Sequence, residues 1–319
     1  MEKYPATEPI KRGRGVTEFK IATVADLDKF ATDKDEEGET VWKSFLAKGS
    51  LIYDEINRKV SVDMPENSGI TVTSEFSRGG RGMELSALIY YKDKLYSVDD
   101  KTGIVFEIGE GKAIPRVILS DGDGNQAKGF KGEWLTTKDG MLYVGGHGRE
   151  FVRNDGSILN KNYMWIKIVD DKGAVQHVNW CDNYNALRQA AGCPFPGYLI
   201  HEAAVWSSTH KSWFFLPRKV SKDPYDYQLD EQRAGNILLS CTDRFDDIKV
   251  VQIGQVNCTR GYSSFKFIPG TDDKVIVAVK SEEVGNKQKS FISAFTIEGE
   301  ILLEDQEFAD KKYEGIEFI

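Results

Sequence analysis

Residues 132–150 read GEWLTTKDGMLYVGGHGRE and carry the pattern that decides the fold. Two short apolar runs flank the polar dipeptide Asp139-Gly140, and Asp-Gly between such runs is a strong signal for a tight β-hairpin. An acidic residue, Glu133, stands directly before the first run. We therefore interpret the stretch as a hairpin whose first strand opens on a polar side chain.

The same arrangement recurs along the chain, in residues 83–103, 201–219 and 263–283, and its first half recurs in residues 313–319. Each copy opens on a small polar or acidic residue, and these openings are Ser86, Glu133, Glu202, Ser263 and Glu314. They are separated by 47, 69, 61 and 51 residues. A repeat of this length is typical of the four-stranded blades of a β-propeller.

The last copy ends at Ile319, so its partner strands must come from elsewhere. Residues 19–28 resemble residues 93–100, and residues 50–64 supply a further hairpin. We predict an all-β, five-bladed β-propeller whose N- and C-terminal strands share the closing blade, since closure removes exposed edge strands. A β-sandwich or two unrelated β domains are the alternatives. Helical patterns are confined to short stretches within residues 26–48 and 183–192.

Composition excludes several classes of protein. The 319 residues carry a formal charge of −8, whereas a nucleic-acid-binding protein needs a basic face. No apolar run approaches the roughly 18 residues that span a membrane. The first residues, MEKYPATEPIKRGRG, have no apolar signal-peptide core, and we treat residues 1–17 as an N-terminal extension.

The four cysteines form no CxxC pair, which argues against a zinc site. Two local disulfides, Cys181–Cys193 and Cys241–Cys258, are one interpretation, and four free thiols are the other. Asn257 begins an Asn-Cys-Thr sequon, which favours the secretory route.

Residues 119–134, LSDGDGNQAKGFKGEW, begin like an EF-hand calcium loop. The match fails where glycine and the closing glutamate are required, because Gln126 and Gly132 stand there. We interpret DGDGN as a turn between blades and expect no metal in it.

The blade-opening residues predict a different metal site. The first strand of each blade lines the central channel, so Ser86, Glu133, Glu202, Ser263 and Glu314 would form a ring. Three carboxylates in one ring raise each other's pKa unless a cation is present. Oxygen ligands favour Ca²⁺ over zinc. Alternatively, these side chains are polar groups bridged by water.

A second set of charged residues is expected at the channel mouth, just beyond the inner strands. It contains carboxylates and basic side chains, including Asp26, Asp28, Asp99, Asp100, Arg81, Lys131, Arg218, Lys280 and Glu282. Arginine binds phosphate oxygens in a forked geometry. A cation, basic groups and carboxylates together suit hydrolysis of phosphoryl groups. Taken singly, each residue could equally be a solvated loop or turn residue.

The motifs at these residues resemble the calcium-activated nucleotidase and secreted apyrase family. They are RGMELS, VADLD, YSVDD, ILSDGDG, EWL, YLIHE, WFFLPR, YSSFKFIP, VKSEE and YEGIEFI. The resemblance runs from about residue 18 to the last residue and marks residues 18–319 as a single catalytic propeller domain.

The resemblance implies Ca²⁺ as cofactor and hydrolysis of nucleoside di- and triphosphates (ADP, ATP, UDP, GDP) to monophosphate and orthophosphate. It implies that the metal ligands are the five ring residues. Asp100, by preference over Asp26, would orient water together with Glu133. The implied substrate-binding residues are Arg81, Glu84, Lys131, Trp134 and Arg218.

The biological setting implied by the resemblance is a secreted, salivary scavenger of ADP that restrains platelets. Its signal peptide is not part of this chain. Neither nucleic acid nor a membrane is an expected partner, and the expected state is a monomer or weak homodimer. Alternatives are a nucleoside diphosphatase of the secretory pathway and a propeller that binds nucleotides without hydrolysing them.

Overall fold

The structure is a computed structural model that describes residues 4–65, 69–153, 155–285 and 287–319. Within that part, the regular secondary structure is almost entirely β-strand, with one α-helix, α1 (Cys181–Ala190). No helix in these residues is long and apolar enough to cross a lipid bilayer. The all-β propeller arrangement predicted from the repeats is confirmed.

The N-terminal residues form a seven-stranded sheet built around one long strand. This strand, β4, pairs with four others, and β2 also pairs with the C-terminal strand. The members are β1 (Ile10–Gly13), β2 (Val16–Ala25), β3 (Thr32–Lys34), β4 (Thr40–Asp54), β5 (Lys59–Asp63), β6 (Ile70–Ser74) and β25 (Tyr313–Phe318).

Four regular four-stranded antiparallel sheets follow. The first is β7 (Ile89–Tyr91), β8 (Lys94–Val98), β9 (Ile104–Ile108) and β10 (Ala113–Ile118). The second is β11 (Trp134–Lys138), β12 (Met141–Gly145), β15 (Trp165–Val169) and β16 (Val175–Asn179), with a two-stranded hairpin, β13 (Phe151–Val152) and β14 (Ile158–Asn160), inserted in it.

The third sheet is β17 (Tyr198–Ser207), β18 (Ser212–Ser221), β19 (Ile237–Thr242) and β20 (Lys249–Gln252). The fourth is β21 (Arg260–Phe267), β22 (Val275–Val284), β23 (Lys287–Thr296) and β24 (Ile301–Ala309). The first strands β7, β11, β17, β21 and β25 contact one another in this order, and β25 also contacts β7.

The blade count differs from the prediction. Four sheets are regular blades, so five blades are not confirmed. The difference arises at β4, a strand of 15 residues. Because its N-terminal half pairs with β3 and β6 and its C-terminal half with β2 and β5, one sheet carries more strands than a blade.

The hairpin at Asp139-Gly140 forms as predicted. Lys138 pairs with Met141, and both turn residues have positive φ, 53° and 75°. This is the left-handed backbone conformation that a two-residue type I′ turn requires, and Asp and Gly adopt it readily.

The predicted N-terminal extension, residues 1–17, includes strand residues of the first sheet. The predicted division between residues 17 and 18 falls inside β2, and β1 of the predicted extension pairs with β2. Met1–Lys3 of that extension lie outside the described residues.

The helix predicted at 183–192 is confirmed as α1, but residues 26–48 hold only a short 3₁₀ turn, Asp28–Phe30, before β3 and β4. β-Branched and aromatic residues are frequent at the start of β4 (Thr40, Val41, Trp42 and Phe45), and this favours a strand.

The core consists of apolar layers between neighbouring sheets. The layer between the second and third sheets is aromatic, with Trp134, Trp180 and Trp213 in mutual ring contact. Such packing fixes the first strands of both sheets, and these strands carry the candidate site.

The disulfide interpretation is wrong, because all four cysteines are free. Cys181 begins α1, whereas Cys193 follows its end, so about 15 Å of helix lies between them, against about 6 Å between the Cα atoms of a disulfide. The backbone carbonyl of Cys258 accepts a hydrogen bond from the N–H of Ala234, seven residues before Cys241 along the chain. Extended backbone of that length also exceeds the reach of a disulfide.

Candidate active site

β-Bulges position three of the predicted ring residues. The pairing register skips Glu202 in β17, Ser263 in β21 and Glu314 in β25. A bulge inserts an unpaired residue and turns its side chain away from the regular alternation. Glu133 and Ser86 instead stand just before β11 and β7, where their N–H groups donate to the carbonyls of Gly145 and Val98.

Arg218, at the centre of the ring, brings these three positions together. Its Nη1 lies 2.5 Å from Glu202 Oε2, 2.8 Å from Glu314 Oε1 and 3.4 Å from Ser263 Oγ. Its Nη2 lies 2.6 Å from Glu283 Oε2. The guanidinium is buried, and so are Glu202 and Glu314, so these two ion pairs are shielded from water, whereas the Glu283 side chain is 38% exposed.

His147 connects the fourth ring residue, Glu133, to Glu202, and Lys131 connects it to Asp100. His147 Nε2 lies 2.8 Å from Glu133 Oε1 and 3.6 Å from Glu202 Oε1. Lys131 Nζ lies 2.8 Å from the same Glu133 oxygen and also contacts Asp100 Oδ2. The fifth ring residue, Ser86, is buried, and its Oγ has no hydrogen-bond partner among the described residues.

A second group of carboxylates lies at the mouth beside the ring. Lys312 Nζ lies 2.6 Å from Asp26 Oδ2, 3.1 Å from Asp28 Oδ2 and 3.7 Å from Glu314 Oε1. Arg81 binds Glu84 with two hydrogen bonds, Nε to Oε1 at 2.7 Å and Nη2 to Oε2 at 2.5 Å. Lys312 therefore joins the mouth group to the ring.

Burial and neighbouring charge shift the pKa values of these carboxyl groups in opposite directions. Burial raises the pKa of Asp26 to about 8 and that of Glu84 to about 7, and it also raises the pKa of Glu314. Burial acts in the same sense on Glu202, but the Arg218 guanidinium outweighs it and lowers that pKa to about 2. The site thus contains carboxyl groups in unlike protonation states.

Most of the predicted site residues meet here. Four of the ring residues are linked with Asp26, Asp100, Lys131 and Arg218 by the contacts above, and Arg81 with Glu84 joins them through Asp28, whose Oδ1 lies 3.3 Å from Arg81 Nη2. The side chain of the fifth ring residue, Ser86, makes no hydrogen bond to this group of described residues. Trp134 is not brought to this group: it is 1% exposed, and its ring packs in the aromatic layer. The alternation of side chains explains this, since Glu133 faces the channel and its neighbour must face the opposite side.

Three residues of the site were not in the predicted set: His147, Glu283 and Lys312. A signal for Lys312 exists in the sequence, because it precedes Glu314 by two residues just as Lys131 precedes Glu133. Glu283 ends the motif VKSEE, whereas nothing in the sequence distinguishes His147 from the other histidines.

The donor set fits a hard divalent cation. Oxygen atoms of Glu133 and Glu202 lie with His147 Nε2 within 4.8 Å of one another, and so do oxygens of Asp26, Asp28 and Glu84. The buried Ser86 hydroxyl adds a ligand atom that has no partner among the described residues. Carboxylates also outnumber the arginines and lysines around them, so bound positive charge would balance the ring.

Carboxylates, arginines and lysines gathered at one site of a propeller define a class of β-propeller whose site is suited to phosphoryl-group chemistry.

Comparisons with known proteins narrow this class. Residues 29–319 match the model of the apyrase family. The chain is 48% identical over 318 residues to soluble calcium-activated nucleotidase 1 of Rattus norvegicus, an alignment that covers 100% of this chain and 78% of that protein. It is 41% identical to the apyrase of Cimex lectularius (99% and 86% covered) and 42% identical to apyrase apy-1 of Caenorhabditis elegans (95% and 85% covered). The chain belongs to the apyrase family and is a nucleotide-hydrolysing enzyme.

Proposed function

We propose that this enzyme is a calcium-dependent apyrase that hydrolyses nucleoside di- and triphosphates to the monophosphate and orthophosphate. The observation that carries the proposal is one buried cluster built from separate parts of the chain, in which Arg218 binds Glu202 and Glu314 and Lys131 binds Asp100, whose other carboxylate oxygen has no partner among the described residues. The names of the rat and Cimex relatives agree with this activity.

Ser86, Glu133, Glu202, Ser263 and Glu314 would hold Ca²⁺. When bound, the cation would neutralise phosphate oxygens and so favour attack by water. In support, the ligand atoms are mostly carboxylate and hydroxyl oxygens, which suit the flexible coordination of Ca²⁺ better than the strict octahedron of Mg²⁺.

Asp100 is the better candidate for orienting the attacking water. Lys131 binds its Oδ2, but its Oδ1 is buried and has no partner among the described residues. Both oxygens of Asp26 are engaged, Oδ1 by the N–H of Asp28 and Oδ2 by Lys312. Burial also raises the pKa of Asp26, to about 8.

Arg81, Lys131 and Arg218 would bind the phosphates, with Glu84 fixing the fork of Arg81. Phosphoryl transfer passes through a loose transition state that requires positioning and charge stabilisation rather than a nucleophilic side chain. Trp134 would act only indirectly, by packing behind Glu133.

The test is phosphate release from ADP with Ca²⁺, with Mg²⁺ and with chelator. We expect release with Ca²⁺ and none with chelator, whereas activity that survives the chelator would refute the metal assignment. Asp100→Asn should lower kcat by at least about 100-fold, and Asp26→Asn should lower it much less. A larger loss of kcat in Asp26→Asn than in Asp100→Asn would assign the water-orienting role to Asp26 instead. Glu133→Gln should weaken the response of the activity to Ca²⁺.

We propose that the seven-stranded sheet takes the place of a fifth blade, since β25 and β2 pair within it. Secretion, a monomeric or weakly dimeric state and a salivary role against platelets are proposed from the family resemblance. Ranking kcat/KM for ADP, ATP, UDP and GDP would separate an ADP scavenger from a secretory-pathway nucleoside diphosphatase.

A further inference from the structure

Arg149 is a buried arginine near the mouth that none of the roles above uses. It follows His147 by two residues, between β12 and β13, and is 7% exposed. Its Cζ lies 3.8 Å from the ring centre of Tyr225 and 5.8 Å from that of Tyr198. Nη1 donates to the carbonyl of Glu150 at 2.8 Å. Nε is buried and has no hydrogen-bond partner in the described part of the chain.

The charge of Arg149 is also uncompensated. Across the described residues, no carboxylate oxygen lies within 4 Å of its nitrogens, whereas Arg81, Lys131, Arg218 and Lys312 each have at least one. The carboxylate next to it, Glu150, is fully engaged by Arg188 at 2.7 and 2.9 Å. A buried charge without a counter-ion is costly, and a ligand of opposite charge would offset that cost.

The position of Arg149 places it on the mouth side of the channel. β17 begins at Tyr198, and the first strands begin at the end of the channel where Lys131 and Lys312 lie. The N–H of His201 in β17 donates to the carbonyl of His147 at 2.9 Å, so the segment of Arg149 lies along this beginning of β17. His147 of the same segment contacts the ring carboxylates.

The surroundings of the guanidinium select the chemistry of its ligand. Tyr225 covers one face of the planar group, and the N–H donors lie on its edge. Edge N–H groups of arginine bind oxyanions, and phosphate oxygens match their geometry. An aromatic wall beside a phosphate site also excludes water from the contact.

We propose that Arg149 is a further substrate-binding residue, whose N–H edge binds a phosphate oxygen of the nucleotide on the flank of the mouth formed by Tyr198 and Tyr225. This inference rests on the proposed function, because the nucleotide is the phosphate-bearing ligand. Arg149 can bind phosphate without breaking an ion pair with a carboxylate. The four basic residues with carboxylate partners, Arg81, Lys131, Arg218 and Lys312, cannot. The contribution of Arg149 therefore falls on affinity, and KM changes more than kcat.

The experiment compares Arg149→Gln and Arg149→Lys with a matched control, Arg233→Gln. Arg233 lies 5.8 Å from the same Tyr198 ring, but its Nη1 donates to Tyr198 Oη at 3.2 Å and to the carbonyl of Pro224 at 2.8 Å. Steady-state hydrolysis of ADP with Ca²⁺ gives KM and kcat. Calorimetric titration with a methylene-bridged ADP analogue gives Kd without turnover, and thermal unfolding verifies the fold.

We expect Arg149→Gln to raise KM for ADP and Kd for the analogue by about 10- to 100-fold, as loss of one charge-assisted hydrogen bond requires. Its kcat should change by less than about threefold, with Arg149→Lys intermediate and Arg233→Gln unchanged. A Kd within twofold of the wild type in a folded variant overturns the inference, and so does an equal loss in Arg233→Gln. If Arg149→Gln does not fold, Arg149→Lys decides on the same criterion.

The two hypotheses fail in distinguishable ways. A wild-type protein that binds the analogue through Arg149 but releases no phosphate refutes the proposed function and leaves this inference intact. If the wild type hydrolyses ADP with Ca²⁺ but Arg149→Gln binds the analogue as tightly as the wild type, the proposed function stands and this inference is refuted.

Discussion

Replacing Arg218 by methionine should destabilise the protein strongly, because the guanidinium holds three carboxylates together. Glu202 and Glu314 are 9% and 4% exposed, and both lose their closest cationic contact in the variant. Removing one partner of a buried ion pair costs about 3–5 kcal/mol, since the remaining charge stays desolvated. Methionine keeps much of the side-chain volume, so a cavity contributes little.

Arg58 provides a matched control. It also pairs with a glutamate, Glu300, but the two side chains are 59% and 52% exposed. An exposed pair of this kind contributes no more than about 1 kcal/mol. Arg58→Met should therefore leave the free energy of unfolding nearly unchanged.

The assay is urea-induced unfolding of wild type and both variants, with chelator and with Ca²⁺. Ca²⁺ bound by the ring would stabilise the folded state by about 2.7 kcal/mol at 100 times its Kd. Part of the loss in Arg218→Met should be recovered with Ca²⁺, because the cation supplies charge that the arginine supplied. A loss below about 1 kcal/mol with chelator, equal to that of Arg58→Met, would refute the reasoning that these ion pairs are desolvated.

Three further predictions concern the scaffold. Burial lowers the pKa of Lys167 to about 8, against about 10.4 in the unfolded chain. Between these two pH values the unfolded state binds more protons than the folded state. The free energy of unfolding should therefore rise with pH over this range. Lys167→Met should flatten that rise in unfolding measured over a pH series. Gly145→Ala would place its Cβ 1.9 Å from the Trp134 ring and should cost at least about 1–3 kcal/mol, whereas Gly109→Ala, whose nearest contact is 3.4 Å, should cost little in the same unfolding assay. Thiol titration in denaturant without reductant should count four free cysteines, and a lower count would contradict the structure.

The repeats in the sequence were sufficient to predict the propeller arrangement and most of the cluster. Period-two alternation and turn residues such as Asp139-Gly140 are local, so they are visible without a structure. The shape of the first sheet was not predictable in this way. It depends on β4 pairing with strands on both of its edges, and strand pairing is a non-local property.

The DGDGN loop shows a second limit of sequence reasoning. The ammonium group of Lys167, which lies 45 residues further along, contacts the carbonyl of Gly122 in this loop, and its Nζ is 2.9 Å from His177 Nδ1. A positive charge next to this loop thus comes from Lys167 in β15. The sequence predicted a turn without metal, but it could not show which side chain fills the turn.

Closure of the ring and assembly of the site are the same structural event. Glu314 and Lys312 lie in or next to β25, and Asp26 directly follows β2, with which β25 pairs. The ring residues Ser86 and Glu314 are 228 positions apart in sequence, so no local segment can hold them together. A contact this distant in sequence forms only after the loop entropy of the whole chain has been overcome. Opening the β2–β25 pairing would therefore remove Lys312 and Glu314 from the cluster at once, and activity should be lost as soon as the ring opens, before the individual blades unfold.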